Sequence, residues 1–186
     1  MSLEITEPTK QTVNNAIVVA SSSSDFQAFA TLVREYLGWC RQRYADDVWF
    51  VESAAGHQSL EAELASLEVK FSPPHGKVLL YQVDGVIGGA CAYRVLADGT
   101  CEMKRFFVTD AFRGRGVGRQ LCAALIELAR KDGFTLMRLD TAQRFTEAQA
   151  MYAAFGFQLC EPHVQYPAEL MPYMVFMQLP LIPLSS

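Results

Sequence analysis

Arg113-Gly114-Arg115-Gly116-Val117-Gly118-Arg119 decides how this chain is read. It stands between a strand-like run ending near Thr109 and an amphipathic run with Val117, Leu121, Ala124, Leu125 and Leu128 at helical spacing. Glycines let the backbone turn tightly, approach a ligand closely and aim several N–H groups one way. The first turn of the helix adds unpaired amides and the positive end of the helix dipole. Three arginines within seven residues put cationic charge beside that nest. Together they predict a pyrophosphate site; the competing reading is a flexible turn with solvated arginines. A Walker A loop needs Gly-Lys-Ser/Thr, whereas Gly118 is followed by Arg119-Gln120. A dinucleotide fingerprint needs G-x-G-x-x-G in a parallel βαβ unit, and neither the spacing nor the context is present.

Upstream of the loop the period is that of strands. Lys77–Val83, Val86–Leu96 and Cys101–Thr109 read as three strands joined at Asp84-Gly85 and at Ala97-Asp98-Gly99-Thr100, an antiparallel meander. Downstream, Phe134–Leu139 reads as a strand. Thr146-Glu-Ala-Gln149 reads as a capping box opening a helix that Gly156 ends, and Phe157–Cys160 and Met171–Leu179 read as strands. Toward the start, Ala16–Ala20 is a short buried strand, and Ser24-Asp-Phe-Gln27 is a capping box for a helix with Phe26, Phe29, Val33, Tyr36 and Leu37 on one face. Residues 38–58 read as irregular, and a second helix is expected from Ser59 with Leu60, Leu64 and Leu67 on one stripe. The fold class is α+β: one largely antiparallel twisted sheet flanked by helices. Residues 1–14 read as a flexible arm and 15–186 as a single domain.

Composition agrees with a single packed core. The chain has 186 residues, 51% of them hydrophobic, with 12 Gly and 8 Pro. Its formal net charge of −4 makes it a poor general nucleic-acid binder, so any anion site is local. Five cysteines, odd in number and without a C-x-x-C pair, fit buried thiols in a reducing compartment. His57, His75 and His163 stand far apart in sequence, so no metal site is expected. No signal peptide or membrane-length apolar run is visible, and the expected location is cytoplasmic, with no membrane partner.

Several stretches together resemble one family. Arg113-x-x-Gly116-x-Gly118 is similar to the R/Q-x-x-G-x-G/A signature of the GNAT superfamily of acyl-CoA-dependent N-acetyltransferases. Glu102-Met-Lys-Arg-Phe-Phe-Val108 resembles the strand before that signature. Leu139-Asp140-Thr141 and Ala148-x-x-Met151-Tyr152-x-x-x-Gly156-Phe157 resemble the downstream strand and helix. The likeness is good over roughly 77–160, and the order of elements follows it over nearly the whole chain.

The resemblance implies a splayed pair of strands that binds acetyl-CoA as co-substrate, with no metal. By position, Phe106, Phe107 and Val108 would pair with the pantetheine arm, and the Val108 amide would donate to the acetyl carbonyl. The amides of Gly114, Arg115, Gly116, Val117, Gly118 and Arg119, beside Arg113, would hold the pyrophosphate. Tyr152 falls where the family places the acid that protonates the departing thiolate; the alternative is an ordinary core aromatic. Glu102 falls where some members carry a general base, and the alternative is a cross-strand ion pair on a solvated face. A base is needed because an alkyl amine of pKa about 10.4 is neutral in only roughly 1 molecule in 2,500 at pH 7. One position departs from the pattern: Phe145 stands where many members carry a cofactor-contacting asparagine.

The expected reaction is acetyl transfer to the primary amine of a small molecule or peptide by direct attack; the alternative is a non-catalytic acyl-CoA-binding module. For the acceptor pocket the candidates are Trp39, Tyr44, Trp49, Phe50, His163, Tyr166 and Tyr173, an aromatic wall for an apolar or cationic group, while Arg41, Arg43 and Arg144 equally favour a carboxylate-bearing amine, and both alternatives stay open. Members of the family often form dimers, and the apolar tail of this chain offers a homodimer contact.

Overall fold

The computed structural model describes residues 15–57 and 60–181. The arm expected over 1–14 and the helix start expected at Ser59 lie outside the described residues. Seven strands form one sheet: β1 (Asn15–Val19), β2 (Gly76–Val83), β3 (Val86–Ala97), β4 (Thr100–Val108), β5 (Leu136–Ala142), β6 (Gln158–Leu159) and β7 (Met174–Pro180). Their order is β1-β2-β3-β4-β5-β7-β6, with every pair antiparallel except β4 and β5.

Six helices complete the described chain: α1 (Ser23–Arg43), α2 (Val48–His57), α3 (Leu60–Ala65), α4 (Leu67–Phe71), α5 (Val117–Lys131) and α6 (Thr146–Ala154). Alternation along β2 shows how the sheet separates its two faces. Leu79 and Tyr81 join a core with Leu121, Leu125, Tyr152 and Phe157 of the α5/α6 side. Val78 and Leu80 join Phe26, Phe29, Leu32 and Phe71 of the α1/α4 side. A third cluster, with Tyr44, Phe50, Phe145, Tyr166 and Phe176, closes one end. Four cysteines are buried and Cys160 is half-buried, all as free thiols. Among the described residues no helix is long and apolar enough to cross a membrane.

Several boundaries differ from the sequence reading. The first capping box is Ser22 with Asp25 rather than Ser24 with Gln27: Asp25 N–H donates to Ser22 Oγ at 3.2 Å, and Ser22 N–H donates to Asp25 Oδ2 at 3.0 Å. The stretch taken as irregular over 38–58 is largely helical, because Leu37 and Cys40 continue the stripe of Phe29 and Val33 into α1. The helix expected through Leu64 and Leu67 is divided at Ser66, whose hydroxyl donates to Ala62 C=O at 2.7 Å. No side-chain cap opens α6. Phe145 holds the N-cap position, and Gln149 instead donates to Ala142 C=O and Gln143 C=O, each at 3.0 Å. β7 begins at Met174, because Pro172 sits in a short 3-10 turn ahead of it.

Candidate acyl-transfer site

β4 and β5 pair only at Thr100↔Leu136, Cys101↔Met137 and Glu102↔Arg138. Beyond Glu102 the two strands part, while β4 stays bound to β3 through Ala90↔Phe107 and Gly89↔Val108. The β3–β4 register shifts between Ala90 and Ala92, and Arg105, opposite that shift, takes φ +53°, a left-handed conformation costly for a side-chain-bearing residue. A cavity of about 750 Å³ opens where the strands part. Met103–Val108 of β4 and Leu139–Ala142 of β5 form its sides, and Tyr152 of α6 lies in its wall.

The glycine turn forms an adjoining groove lined by Arg113, Gly114, Gly116, Val117, Gly118 and Arg119. Gly114 and Gly116 have φ of +73° and +76°, which explains glycine at both. The backbone ladder of α5 begins with Gln120 N–H on Gly116 C=O at 3.1 Å, so the amides of the first turn ahead of it are left for another acceptor. Val108, Arg113, Glu147 and Met151 line both groove and cavity, which makes them continuous. The arginines are placed unequally. Arg113 Nε donates to Val108 C=O at 3.0 Å while its guanidinium lies 4.4 Å over the Trp39 ring. Arg119 lies over Phe155, whereas Arg115 lies over Phe112 and outside the groove lining.

Tyr152 is 6% exposed and meets Phe106 edge-on at 6.0 Å and Phe157 at 5.7 Å. Burial, then the neighbouring Cys122 and Cys91 thiols and Asp140, push its phenol far above the usual value, so the proton stays on oxygen. Cys40 also lines the cavity; burial pushes its thiol up to about 11, which leaves little thiolate to act as a nucleophile.

Glu102 is in a different environment from the one expected. It is fully buried, not on a solvated face, and it is not part of the cavity lining. Its carboxylate accepts from Arg94 Nε at 2.6 Å and His163 Nε2 at 3.1 Å, with Lys104 Nζ at 3.5 Å. Burial by itself would raise this carboxyl, but the His163 hydrogen bond and the Lys104 and Arg94 charges outweigh it and hold the group at about 2.

Lys104 also donates to Asp140 Oδ1 at 2.7 Å, and Tyr166 O–H donates to Asp140 Oδ2 at 2.8 Å. His163, distant in sequence from the other histidines, thus meets Glu102 and Asp140, with ligand-type atoms all within 4.8 Å of one another. Lys104 stands between the two carboxylates, and Arg94 adds a second positive charge on Glu102.

The acceptor candidates divide. Trp39, Tyr44, Phe50 and Tyr166 line the cavity, while Trp49, Tyr173 and His163 do not. The three arginines are engaged by acids: Arg41 by Glu52 at 2.7 Å, Arg43 by Glu147 at 3.1 Å and Arg144 by Asp47. Sequence reading missed Tyr36, Lys104, Arg105 and Asp140 as cavity residues. For Lys104 the available signal was its position two residues after Glu102, since alternate residues of one strand share a face; nothing local marked Asp140, which lies on β5. Phe145 occupies the expected asparagine position as part of an aromatic wall, 5.4 Å from both Trp39 and Tyr44.

Known proteins share this fold. The model of the Acetyltransferase (GNAT) family matches residues 42–157. A Schizosaccharomyces pombe protein, "Uncharacterized N-acetyltransferase C1271.07c", is 32% identical over 168 residues, which span 89% of this chain and 94% of that one. A Streptococcus agalactiae acetyltransferase structure superposes with a TM-score of 0.69 at 17% identity, covering 90% of this chain and 98% of the other. The Salmonella typhimurium putative acetyltransferase yncA, solved with acetyl-CoA, gives 0.62 at 20% identity over 93% and 97%. With strands that part above a glycine-turned helix, and with likeness to the yeast protein nearly from end to end, this chain belongs to the GNAT acetyltransferase family.

Proposed function

We propose that the protein transfers the acetyl group of acetyl-CoA to the primary amine of a small molecule or peptide by direct attack. The observation that carries this reading is the parting of β4 from β5 beyond Glu102↔Arg138, beside a groove of helix-start amides and with Tyr152 in the wall. The residues present fit the co-substrate. The turn from Gly114 to Arg119 offers amides and the cationic side chain of Arg119 to a pyrophosphate, and Arg113 stands where groove and cavity join. Phe106, Phe107 and Val108 offer a strand edge to the pantetheine amides. Thr109 N–H donates to Gly88 C=O at 3.0 Å, so strand alternation turns the preceding amide, that of Val108, away from β3 and toward the cavity. There it would donate to the acetyl carbonyl as negative charge develops.

In the reaction the ammonium first gives a proton to solvent water, its neutral nitrogen then bonds to the acetyl carbon, and the carbon–sulfur bond breaks. Tyr152 gives its proton to the leaving sulfur and is reprotonated through solvent as the amine sheds its own. Glu102, walled off behind Lys104 and His163, would set the charge around Lys104 and Asp140 rather than meet the amine. Calorimetric titration with acetyl-CoA tests the reading, with ATP and NAD as controls, followed by an amine panel scored for N-acetyl product. Saturable one-site binding of acetyl-CoA alone, then transfer to an amine, is expected. Absence of acetyl-CoA binding, or binding without transfer to any amine, would overturn it.

A further inference from the structure

The cavity has two acids in its lining, Asp140 and Glu147. They differ sharply in setting. The Glu147 side chain is 75% exposed and paired with Arg43, whereas that of Asp140 is 8% exposed. Asp140 lies on β5 beyond the last β4 pairing, where the cavity opens, and its carboxylate is held from two sides by Lys104 Nζ at 2.7 Å and Tyr166 Oη at 2.8 Å. Lys104 is shared with Glu102 at 3.5 Å, and Glu102 is further matched by Arg94 at 2.6 Å, so carboxylates and cations balance across the cluster. A carboxylate has about four lone-pair directions, and two are used here. The same cavity is lined by the aromatic wall of Trp39, Tyr44, Phe50 and Phe145, with Tyr36 stacked on Trp39 and tilted against Phe107. Arg41, Arg43 and Arg144 are already paired to Glu52, Glu147 and Asp47, and Arg113 of the cavity lining to Asp110.

We propose that Asp140, fixed by Lys104 and Tyr166, receives the N–H groups of the acceptor, and that the acceptor is a primary amine on an aromatic body packed against the Trp39–Phe145 wall. The transfer reading is deepened by this inference, which supplies the amine that reading requires. Asp140 and Tyr152 line the same cavity, so an amine bound to Asp140 would share it with the proton donor. A buried carboxylate gives charge-assisted hydrogen bonds to an ammonium, and flat rings give apolar area and cation–π attraction.

The test is calorimetry on the whole chain saturated with CoA, using 2-phenylethylamine, 2-phenylethanol and 3-phenylpropanoate, three probes with one body and different heads. The amine is expected to bind at least about tenfold tighter than the alcohol, with the anion weakest. Asp140→Asn is expected to abolish the preference for the amine, and Glu127→Gln, a half-exposed α5 position paired with Arg130 and outside cavity and groove, to keep it. Thermal melts accompany both variants, and the wild-type ranking stands independently of them. Equal binding of amine and alcohol, tighter binding of the anion, no binding of the amine, or loss of the preference in Glu127→Gln would each overturn the proposal. Mass spectrometry for N-acetyl product in the same samples with acetyl-CoA separates the two claims. Amine preference without product keeps the Asp140 site and removes transfer to such amines. Product without amine preference does the reverse.

Discussion

Arg113 bonds Val108 and Asp110, its neighbours in sequence, whereas across the cavity Arg43 meets Glu147, 104 positions later, and Trp39 packs against Phe145. The glycine groove and the acceptor wall adjoin, yet they are built by different means. The groove is made of backbone: two left-handed glycines, a helix start and its free amides. Its ligand-binding capacity comes with the local chain path, and few side chains decide it. The wall and the charged cluster behind it are made of side chains from α1, α2, β3, β4, β5 and the segment before β7. Such a region exists only when the whole sheet is assembled, so it is where stability and specificity are coupled.

The sharpest way to break this contrast is Glu102→Gln. Removing the charge from a fully buried group that faces Arg94, Lys104 and His163 should cost about 3–5 kcal/mol. For a chain of this size that lowers the melting temperature on the order of 10 °C. Acetyl-CoA affinity of the folded protein should change little, because the groove is backbone-built. A melt within about 2 °C of wild type would mean that the cluster contributes no stability.

The same group gives a pH signature. Its folded pKa of about 2 lies below its ordinary 4.5, so its contribution is complete above the ordinary value and is lost as pH falls through the folded one. Urea midpoints should therefore fall between about pH 5 and 2, less so in Glu102→Gln than in wild type. Parallel acid curves would detach Glu102 from acid stability.

Tyr152→Phe asks the converse question, whether a residue at the junction serves chemistry alone. Turnover should fall about ten- to a thousandfold with acetyl-CoA affinity nearly unchanged. Equal turnover in the two proteins would return Tyr152 to the role of a core aromatic.

Gly116→Ala sharpens the backbone side. No atom lies nearer than 4.0 Å to the added Cβ, so the penalty is conformational, about 1–2 kcal/mol at φ +76°. Acetyl-CoA binding should weaken by about tenfold while the relative affinities of acceptors stay the same, as competition calorimetry would show.

The smallest effect belongs to Arg41→Ala. Arg41 and Glu52 are each about half exposed, so stability should change by less than about 1 kcal/mol. A larger loss, or an altered acceptor ranking, would place this pair within the acceptor region after all.

Legibility followed the same division. The meander was readable because period-2 patterning and the Asp84-Gly85 turn act within a few residues, and both turn residues do take positive φ. The helical character of 38–58 was hidden because its aromatics serve packing against Phe145 and Tyr173 rather than a simple stripe. Phe145 was visible as a departure from the family pattern, but its purpose was not, since its partners lie on α1. The Glu102 alternatives could not be separated in sequence, because burial depends on what covers a strand face, and His163 arrives from 61 positions away.

The sequence by itself determined the strand order through the meander, the glycine turn before α5 and the position of Tyr152 on α6, since all rest on local periodicity and on φ values open mainly to glycine. Only the tertiary structure decided that β4 and β5 part after Glu102, that Glu102 is held ionised out of the cavity, and that Asp140 is the half-buried acid inside it. Desolvation and charge pairing are properties of neighbours in space, and those neighbours come from four separate parts of the chain.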